Sequence, residues 1–411
     1  MPNSKINQIT FFGLGIAPRL LDIITRLNFV APTPIQEKAI PVALEGKDII
    51  GIAQTGTGKT LAFGIPMIQK IAQAKNQGLV ILPTRELAHQ VEETLHQLGR
   101  SLGLRTALLI GGASMKMQMQ AIRRSPHIII GTPGRINDHL EQRTLSLHDV
   151  SILVLDEADR MLDMGFLPQI RKILAKLSKN RQTMLFSATM PDSIVKIATE
   201  HMRLPFRVEI ARPGTAAEKV AQELFVLKNE QKIPLLEKLL LEYRGSILIF
   251  SRTKHGARKI CHSLKRMGHT AAEIHSARSL AQRREALEGF KSGKYRILVA
   301  TDIASRGIDV TGIELVINYD IPENPEDYLH RIGRTGRAGA EGRAISFVMP
   351  DQKREVRDIE RLLQTYIIAS KLPELPSSSP RQNYPDDVGA RKPAPRGNQR
   401  KKYFHHPKRR F

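Results

Sequence analysis

Ile152-Leu153-Val154-Leu155-Asp156-Glu157-Ala158-Asp159 is the stretch that decides the fold. Four consecutive apolar residues read as a buried parallel strand. Carboxylates at its C-terminal tip stand where open α/β sheets bind ligands. Well upstream, Ala53-Gln54-Thr55-Gly56-Thr57-Gly58-Lys59-Thr60 also follows an apolar run, from Asp48 to Ile52. A glycine-rich loop ending in Lys-Thr cradles phosphates with backbone N–H groups. Its lysine reaches the β- and γ-phosphates, and its threonine hydroxyl ligates Mg²⁺. Such a loop needs acid at a second strand tip to hold that ion, and Asp156 and Glu157 supply it. Together the two motifs imply nucleoside triphosphate hydrolysis.

Working outward, apolar strand-like runs alternate with helical patterns: Ile49–Ala53, Leu79–Leu82, His127–Ile130, Ile152–Leu155 and Thr183–Phe186, then Ser246–Phe250, Ala272–His275, Arg296–Ala300, Leu315–Tyr319 and Ala344–Val348. Two such series predict two parallel-sheet α/β domains. The polar stretch Ala211-Arg212-Pro213-Gly214-Thr215-Ala216-Ala217 reads as the linker. The expected boundaries are a first domain over 1–210, a linker over 211–219, a second domain over 220–368 and a tail over 369–411. Only the first half carries a phosphate loop, so the second is no independent nucleotidase by that signature.

The 411 residues carry a net charge of +23, with a pI near 10.2. That favours a polyanionic partner, nucleic acid before membrane. From Lys371 onward, eleven basic residues stand against three acidic ones, a net +8, and apolar residues are scarce. This tail is expected to be disordered. Tyr403 and Phe404 among its cations suit stacking on unpaired bases; the alternative is a solubility tail. Cys261 is the single cysteine, so no internal disulfide forms, which fits a reducing compartment. No signal-peptide layout or membrane-length apolar run is present, and the expected location is cytoplasmic.

Short polar segments recur at the strand tips: Pro83-Thr84-Arg85-Glu86, Thr132-Pro133-Gly134-Arg135, Ser187-Ala188-Thr189, Ser251-Arg252-Thr253, and Thr301-Asp302 continuing to Arg306-Gly307-Ile308-Asp309. Singly, each could be a helix cap or turn. Their repetition along one edge of the sheets points to a site. His330-Arg331-Ile332-Gly333-Arg334-Thr335-Gly336-Arg337 spaces three arginines three apart. Arginine's planar donor fork matches phosphate oxygens. Delivered from the second half, such arginines would act as fingers on the transferring phosphoryl group; the alternative is a salt-bridge cluster.

These motifs, in this order from about Phe11 to Phe347, resemble the DEAD-box RNA helicases of superfamily 2, closest in texture to the bacterial RhlE-like subgroup. The family's glutamine motif is matched by Phe29-Val30-Ala31-Pro32-Thr33-Pro34-Ile35-Gln36, with Phe12 as the upstream aromatic. The resemblance implies two tandem RecA-like domains and ATP with Mg²⁺. Gln36 would read the adenine edge, with Phe12 stacked on the ring and Phe29 among the nucleotide-binding residues. Gln54, Thr55, Gly56, Thr57, Gly58, Lys59 and Thr60 would hold the phosphates, and Asp309 would touch the nucleotide. Thr60 and Asp156 would hold Mg²⁺, and Glu157 would orient or deprotonate the attacking water. Asp159, Ser187 and Thr189 would couple ATP to domain closure, with His330 as coupling histidine and Arg334 and Arg337 as fingers. Thr84, Arg85, Gly112, Thr132, Gly134, Arg135, Arg252, Thr253 and Thr301 would contact the RNA backbone. Two positions depart from the family pattern: Ser276 stands for a glycine and Leu280 for a glutamine, while Arg283 is kept.

The expected activity is local unwinding of short RNA duplexes or remodelling of RNA–protein complexes by a monomer. Candidate protein partners are ribosomal or degradation-machinery proteins. The alternatives are an ATP-gated RNA clamp and a translocating DNA helicase. A metal-hydrolase reading of the acidic tetrad is set aside, because no His/Cys cluster accompanies it.

Overall fold

The structure, a computed structural model, describes residues 10–53, 56–74, 76–210, 220–302, 310, 312–336 and 342–375. The first sheet contains β1 (Ile49–Ile52), β2 (Gln77–Ile81), β3 (Thr106–Leu109), β4 (Ile128–Gly131), β5 (Val150–Leu155), β6 (Gln182–Ser187) and β7 (Phe206–Glu209). All its pairings are parallel, in the order β3-β4-β2-β5-β6-β1-β7. Successive side chains of a strand point to opposite faces. Ile152 and Val154 accordingly join one buried cluster while Leu153 and Leu155 join the other. Helices cover both faces, so the central strands are buried on both sides and read as unbroken apolar runs.

The second sheet contains β8 (Val220–Val226), β9 (Ile247–Phe250), β10 (Ala271–Ile274), β11 (Ile297–Ala300), β12 (Leu315–Asn318), β13 (Gly342–Val348) and β14 (Ile368–Ser370). It is also parallel, in the order β10-β11-β9-β12-β13-β8-β14. Leu248 and Phe250 face one cluster, Ile247 and Ile249 the other.

The two parallel-sheet domains follow the sequence expectation, and each of the ten expected strands is present within a few residues. Four strands escape it: β3, β7, β8 and β14. Three of these are sheet edges, where one side meets solvent and an unbroken apolar run is not required. In β7 only Val208 is buried. The second domain also runs further than 368. β14 pairs with β8, and Leu372 and Leu375 pack against the core. Those two leucines extend the folded part to Leu375, correcting the expected start of the tail at 369. The expected linker and the remaining tail lie outside the described residues.

Candidate functional site

In a parallel sheet the strand tips share one edge, and strand order decides which tips are neighbours. The phosphate loop follows β1, Ser187 ends β6 and Asp156 follows β5; these three strands are adjacent. Thr84 and Arg85 follow β2, Gly112 follows β3, and Thr132 to Arg135 follow β4, which are adjacent on the other side. The first sheet edge is thus divided into a nucleotide half and a half carrying the residues expected to meet RNA.

In the nucleotide half, the helix Lys59–Ala74 opens directly on Lys59. The buried Lys59 Nζ donates to the Ala53 carbonyl at 3.0 Å and lies 3.9 Å from Asp156 Oδ1. Gly58 has φ +88°, and a Cβ there would come 2.3 Å from Gln36 Nε2. Glycine is favoured there because φ lies in the left-handed region, where an L side chain is strained. Gln36 donates from Nε2 to the Gly58 carbonyl at 2.9 Å, and its Oε1 accepts from Thr33 N at 2.9 Å. Beyond the adenine-reading role implied by resemblance, Gln36 therefore ties the glutamine motif to the phosphate loop.

These residues border a cleft of about 380 Å³, lined by Phe29, Gln36, Gly56, Gly58, Lys59, Thr60, Asp156 and Glu157. The volume is in the range of small-ligand sites. Leu87, Gln90, Val91 and Thr94, from the helix Arg85–Gly99, form the opposing wall. Phe12 does not follow expectation: it is 82% exposed and is not among the residues lining the cleft, whereas its neighbour Phe11 is buried in the core. Gln54 and Thr55 lie outside the described residues.

Burial pushes the Asp156 carboxyl up to about 6, with Lys59 opposing the shift and Glu157 adding to it. A hydroxyl on Thr60 and a carboxylate on Asp156 form an oxygen-only donor set. That set fits Mg²⁺, which commonly takes one or two carboxylates and completes its shell with water and substrate phosphates. Among the described residues no group of three or more His, Cys, Asp or Glu converges as a metal site.

Glu157 adopts the left-handed conformation, φ 52° and ψ 49°, which is uncommon for a non-glycine residue and concentrated at functional sites. Its carboxylate is gripped by Arg160, whose Nη1 donates to Oε1 at 3.1 Å and Oε2 at 3.0 Å, both residues being buried. Arg160 Nη2 makes no hydrogen bond among the described residues. Sequence alone does not single out Arg160, because a lone arginine after an acidic run carries no pattern. Its placement makes it a positioning residue for Glu157. Arg160→Met is expected to lower kcat about 10²-fold, the scale of a modest misplacement, with KM for ATP little changed; Arg160→Lys should recover part of the rate. A steady-state comparison of the three proteins checks this. An unchanged kcat in Arg160→Met would remove the role.

Asp159 gathers the expected coupling residues. Its Oδ2 accepts from Ala188 N at 2.9 Å, Thr189 N at 2.8 Å and Thr189 Oγ1 at 3.1 Å, and its own N–H donates to Ser187 Oγ at 3.2 Å.

On the RNA half, Thr84 Oγ1 accepts from Leu87 N at 3.3 Å and caps the helix that follows. Arg85 lies over the glycine loop: a Cβ on Gly112, at φ +80°, would come 2.4 Å from Arg85 Nη1. Arg135 Nη1 donates to the Ala113 carbonyl at 3.1 Å, so both arginines frame that loop. A Cβ on Gly134 would meet nothing within 4 Å. The second sheet repeats the plan. Arg252 and Thr253 follow β9 and Thr301 follows β11, an adjacent pair of strands. Asp320 braces the first tip, accepting from Ser251 Oγ at 3.1 Å and Arg252 N at 3.0 Å. Burial works against its charge, but Lys232 and these donors hold its carboxyl below the usual range.

The three-arginine segment divides. Arg331 is the salt-bridge member: Nε and Nη2 engage both Asp302 oxygens at 2.6 and 2.7 Å, and Nη1 donates to the Asp320 carbonyl at 2.6 Å. Arg334 and His330 line a small cavity together with Asp327, Arg331 and Arg160. The finger candidate therefore meets the first domain at the residue that grips Glu157. Arg337 and Asp309 lie outside the described residues.

An ion pair bridges the domains. Arg283 Nη2 donates to Glu86 Oε2 at 2.7 Å with both residues buried, and Leu280 packs against the core of the first domain. The leucine that departs from the family pattern makes an apolar contact across the interface. Ser276 is exposed.

The DEAD/DEAH box helicase family matches residues 33–197, and the helicase conserved C-terminal domain matches residues 231–339. The chain belongs to the DEAD-box helicase family. This helicase is 46% identical over 353 residues to the ATP-dependent RNA helicase CshA of Listeria monocytogenes, covering 85% of this chain and 68% of that protein. Among solved structures it is similar to Saccharomyces cerevisiae Dbp5 bound to RNA and ADP BeF3, with a TM-score of 0.78 at 32% identity over 89% of this chain and 95% of that one. It is also similar to Mss116p bound to ssRNA and AMP-PNP, with a TM-score of 0.82 at 30% identity over 91% and 81% of the two chains. Both sheets of the helicase are of the tandem RecA-like type.

Proposed function

We infer that this helicase uses RNA-stimulated ATP hydrolysis to separate short RNA duplexes locally. The observation that carries the reading is the division of one sheet edge into nucleotide tips and RNA tips, with Arg334 of the second domain meeting Arg160 beside Glu157. Gln36, through Gly58, links the base end of the cleft to the phosphate loop. Lys59 would balance phosphate charge, Glu157 would accept from the attacking water, and Arg334 with Arg337 would stabilise charge on the transferring group. Mg²⁺, held by Thr60 and Asp156, would neutralise phosphate charge when bound. The Asp159–Ser187–Thr189 network joins the tips of β5 and β6 within the nucleotide half and would transmit the nucleotide's state.

Thr84, Arg85, Thr132, Arg135, Arg252 and Thr301 present hydroxyls and guanidinium groups, which suit phosphate and sugar oxygens. Such contacts position nucleic acid without reading sequence. Contacts to 2′-hydroxyl groups would favour RNA over DNA. ATPase measured with RNA and with DNA of the same sequence tests this: stimulation by RNA alone is expected, and equal stimulation by DNA would favour the translocating DNA helicase. No helix among the described residues is long and apolar enough to cross a membrane. We place the protein in the cytoplasm, acting as a monomer.

The tail is proposed as an RNA tether. Its clustered cations would raise the local RNA concentration. Removing residues 376–411 is expected to leave the maximal ATPase rate at saturating RNA nearly unchanged. It should raise the half-stimulating RNA concentration and flatten its salt dependence, since fewer counterions are released. A salt series on full-length and truncated protein checks this; unaltered half-stimulation and slope would leave the solubility reading in its place.

A further inference from the structure

The helix Lys254–Arg266 lies on the second sheet and begins at the tip of β9, where Thr253 Oγ1 caps it by accepting from Gly256 N at 3.0 Å. Its inner face buries Ala257, Ile260, Cys261 and Leu264. Its outer face exposes Lys254, Arg258, Lys259, Lys265 and Arg266, together with His255 and His262. The helix contains no acidic residue, and none of those five cations forms an ion pair among the described residues. Several cations on the domain's other helices are paired: Arg284 with Glu288 at 2.6 Å and Arg361 with Asp358 at 3.0 Å within their own helices, and Lys232 with Asp320 and Arg331 with Asp302 outside them. Within this domain, Lys254–Arg266 thus carries a run of cations with no ion pair among the described residues; Lys265 lies near a carboxylate, that of Glu285.

We propose that this outer face binds the phosphates of RNA flanking the cleft, as a sequence-independent track. Three observations choose RNA as the occupant. The track is continuous with Arg252 and Thr253, the tip expected to meet RNA. A helix of this length extends about 20 Å, so it carries that charge down the flank of the domain. The outer face presents no aromatic or aliphatic anchor of the kind that organises a protein interface, and the apolar face that a membrane-surface helix would insert is already spent on the sheet.

The inference rests on the RNA reading of the cleft, so the test uses two RNAs. One is a single-stranded oligonucleotide just long enough to span the tips of both sheets; the other adds a flanking duplex. Lys254, Lys259, Lys265 and Arg266 are replaced together by glutamine in the full chain. Arg258 is left in place because it lies near the buried His275. Exposed substitutions of this kind change stability little, and an unchanged melting temperature verifies folding. With the short RNA, half-stimulation and its salt slope are expected to match the parent. With the flanked RNA, half-stimulation should weaken, and the slope of log affinity against log salt should fall by up to about 3.6, at about 0.9 for each phosphate no longer neutralised. An unaltered slope with flanked RNA would overturn the proposal, as would an equal weakening with the short RNA, which would place these residues at the cleft instead. A parent protein that neither RNA stimulates would overturn the cleft reading, and this track with it.

Discussion

Glu157→Gln is expected to bind ATP and RNA as the parent does and to lose hydrolysis by about 10²- to 10⁴-fold, the range ascribed to a positioned general base. The amide keeps the shape of the side chain but cannot take a proton from water. The structure sharpens the expectation in two ways. The left-handed backbone at Glu157 fixes where the side chain leaves the strand tip. Arg160 then fixes the carboxylate itself, touching both oxygens. An amide presents one oxygen and one NH₂ to that guanidinium, so part of the grip also goes. Lys59→Ala separates the roles: it removes the cation facing Asp156 and should weaken ATP binding itself. Single-turnover hydrolysis beside equilibrium ATP binding checks both variants. A parental rate in Glu157→Gln would mean that another group activates the water.

The second large effect concerns the opposite domain. Arg334→Ala is expected to cut turnover by about 10³-fold or more, the low end of arginine-finger effects, with a modest change in ATP affinity. The reason is positional. The cleft that holds the phosphate loop is lined from the first domain, whereas Arg334 reaches the interface from the second. On this reading, binding energy and catalytic charge would come from different domains. Arg337→Ala should behave alike by family resemblance. A fragment of residues 1–210 should likewise bind ATP while showing almost no RNA-stimulated hydrolysis; robust stimulated activity in it would contradict a two-domain mechanism.

The parts of this site legible in the sequence are those that backbone geometry imposes. A parallel strand buried on both faces must be continuously apolar, so Ile152–Leu155 announces itself, and the residue after it must lie at the sheet edge. The phosphate loop is legible because its backbone takes left-handed φ at Gly56 and Gly58, which glycine adopts without strain. What escapes the sequence depends on partners distant along the chain or on shape. Arg331 shares its spacing with Arg334, but only the fold brings Asp302 to it. Leu280 reads as a departure until its packing on the other domain is seen. Arg160 becomes meaningful through the rotamer that returns its guanidinium to Glu157. Phe12 and Phe11 are adjacent aromatics, and only packing shows that the first faces solvent while the second enters the core.

The central claim is that ATP turnover at this cleft separates RNA strands, and displacement of a labelled strand from a short RNA duplex tests it most directly. The full-length protein with ATP and Mg²⁺ should release the strand, and Glu157→Gln should not release it over repeated cycles. A DNA duplex of the same sequence should resist. RNA-stimulated hydrolysis with no strand released would contradict the account and leave an ATP-gated RNA clamp in its place.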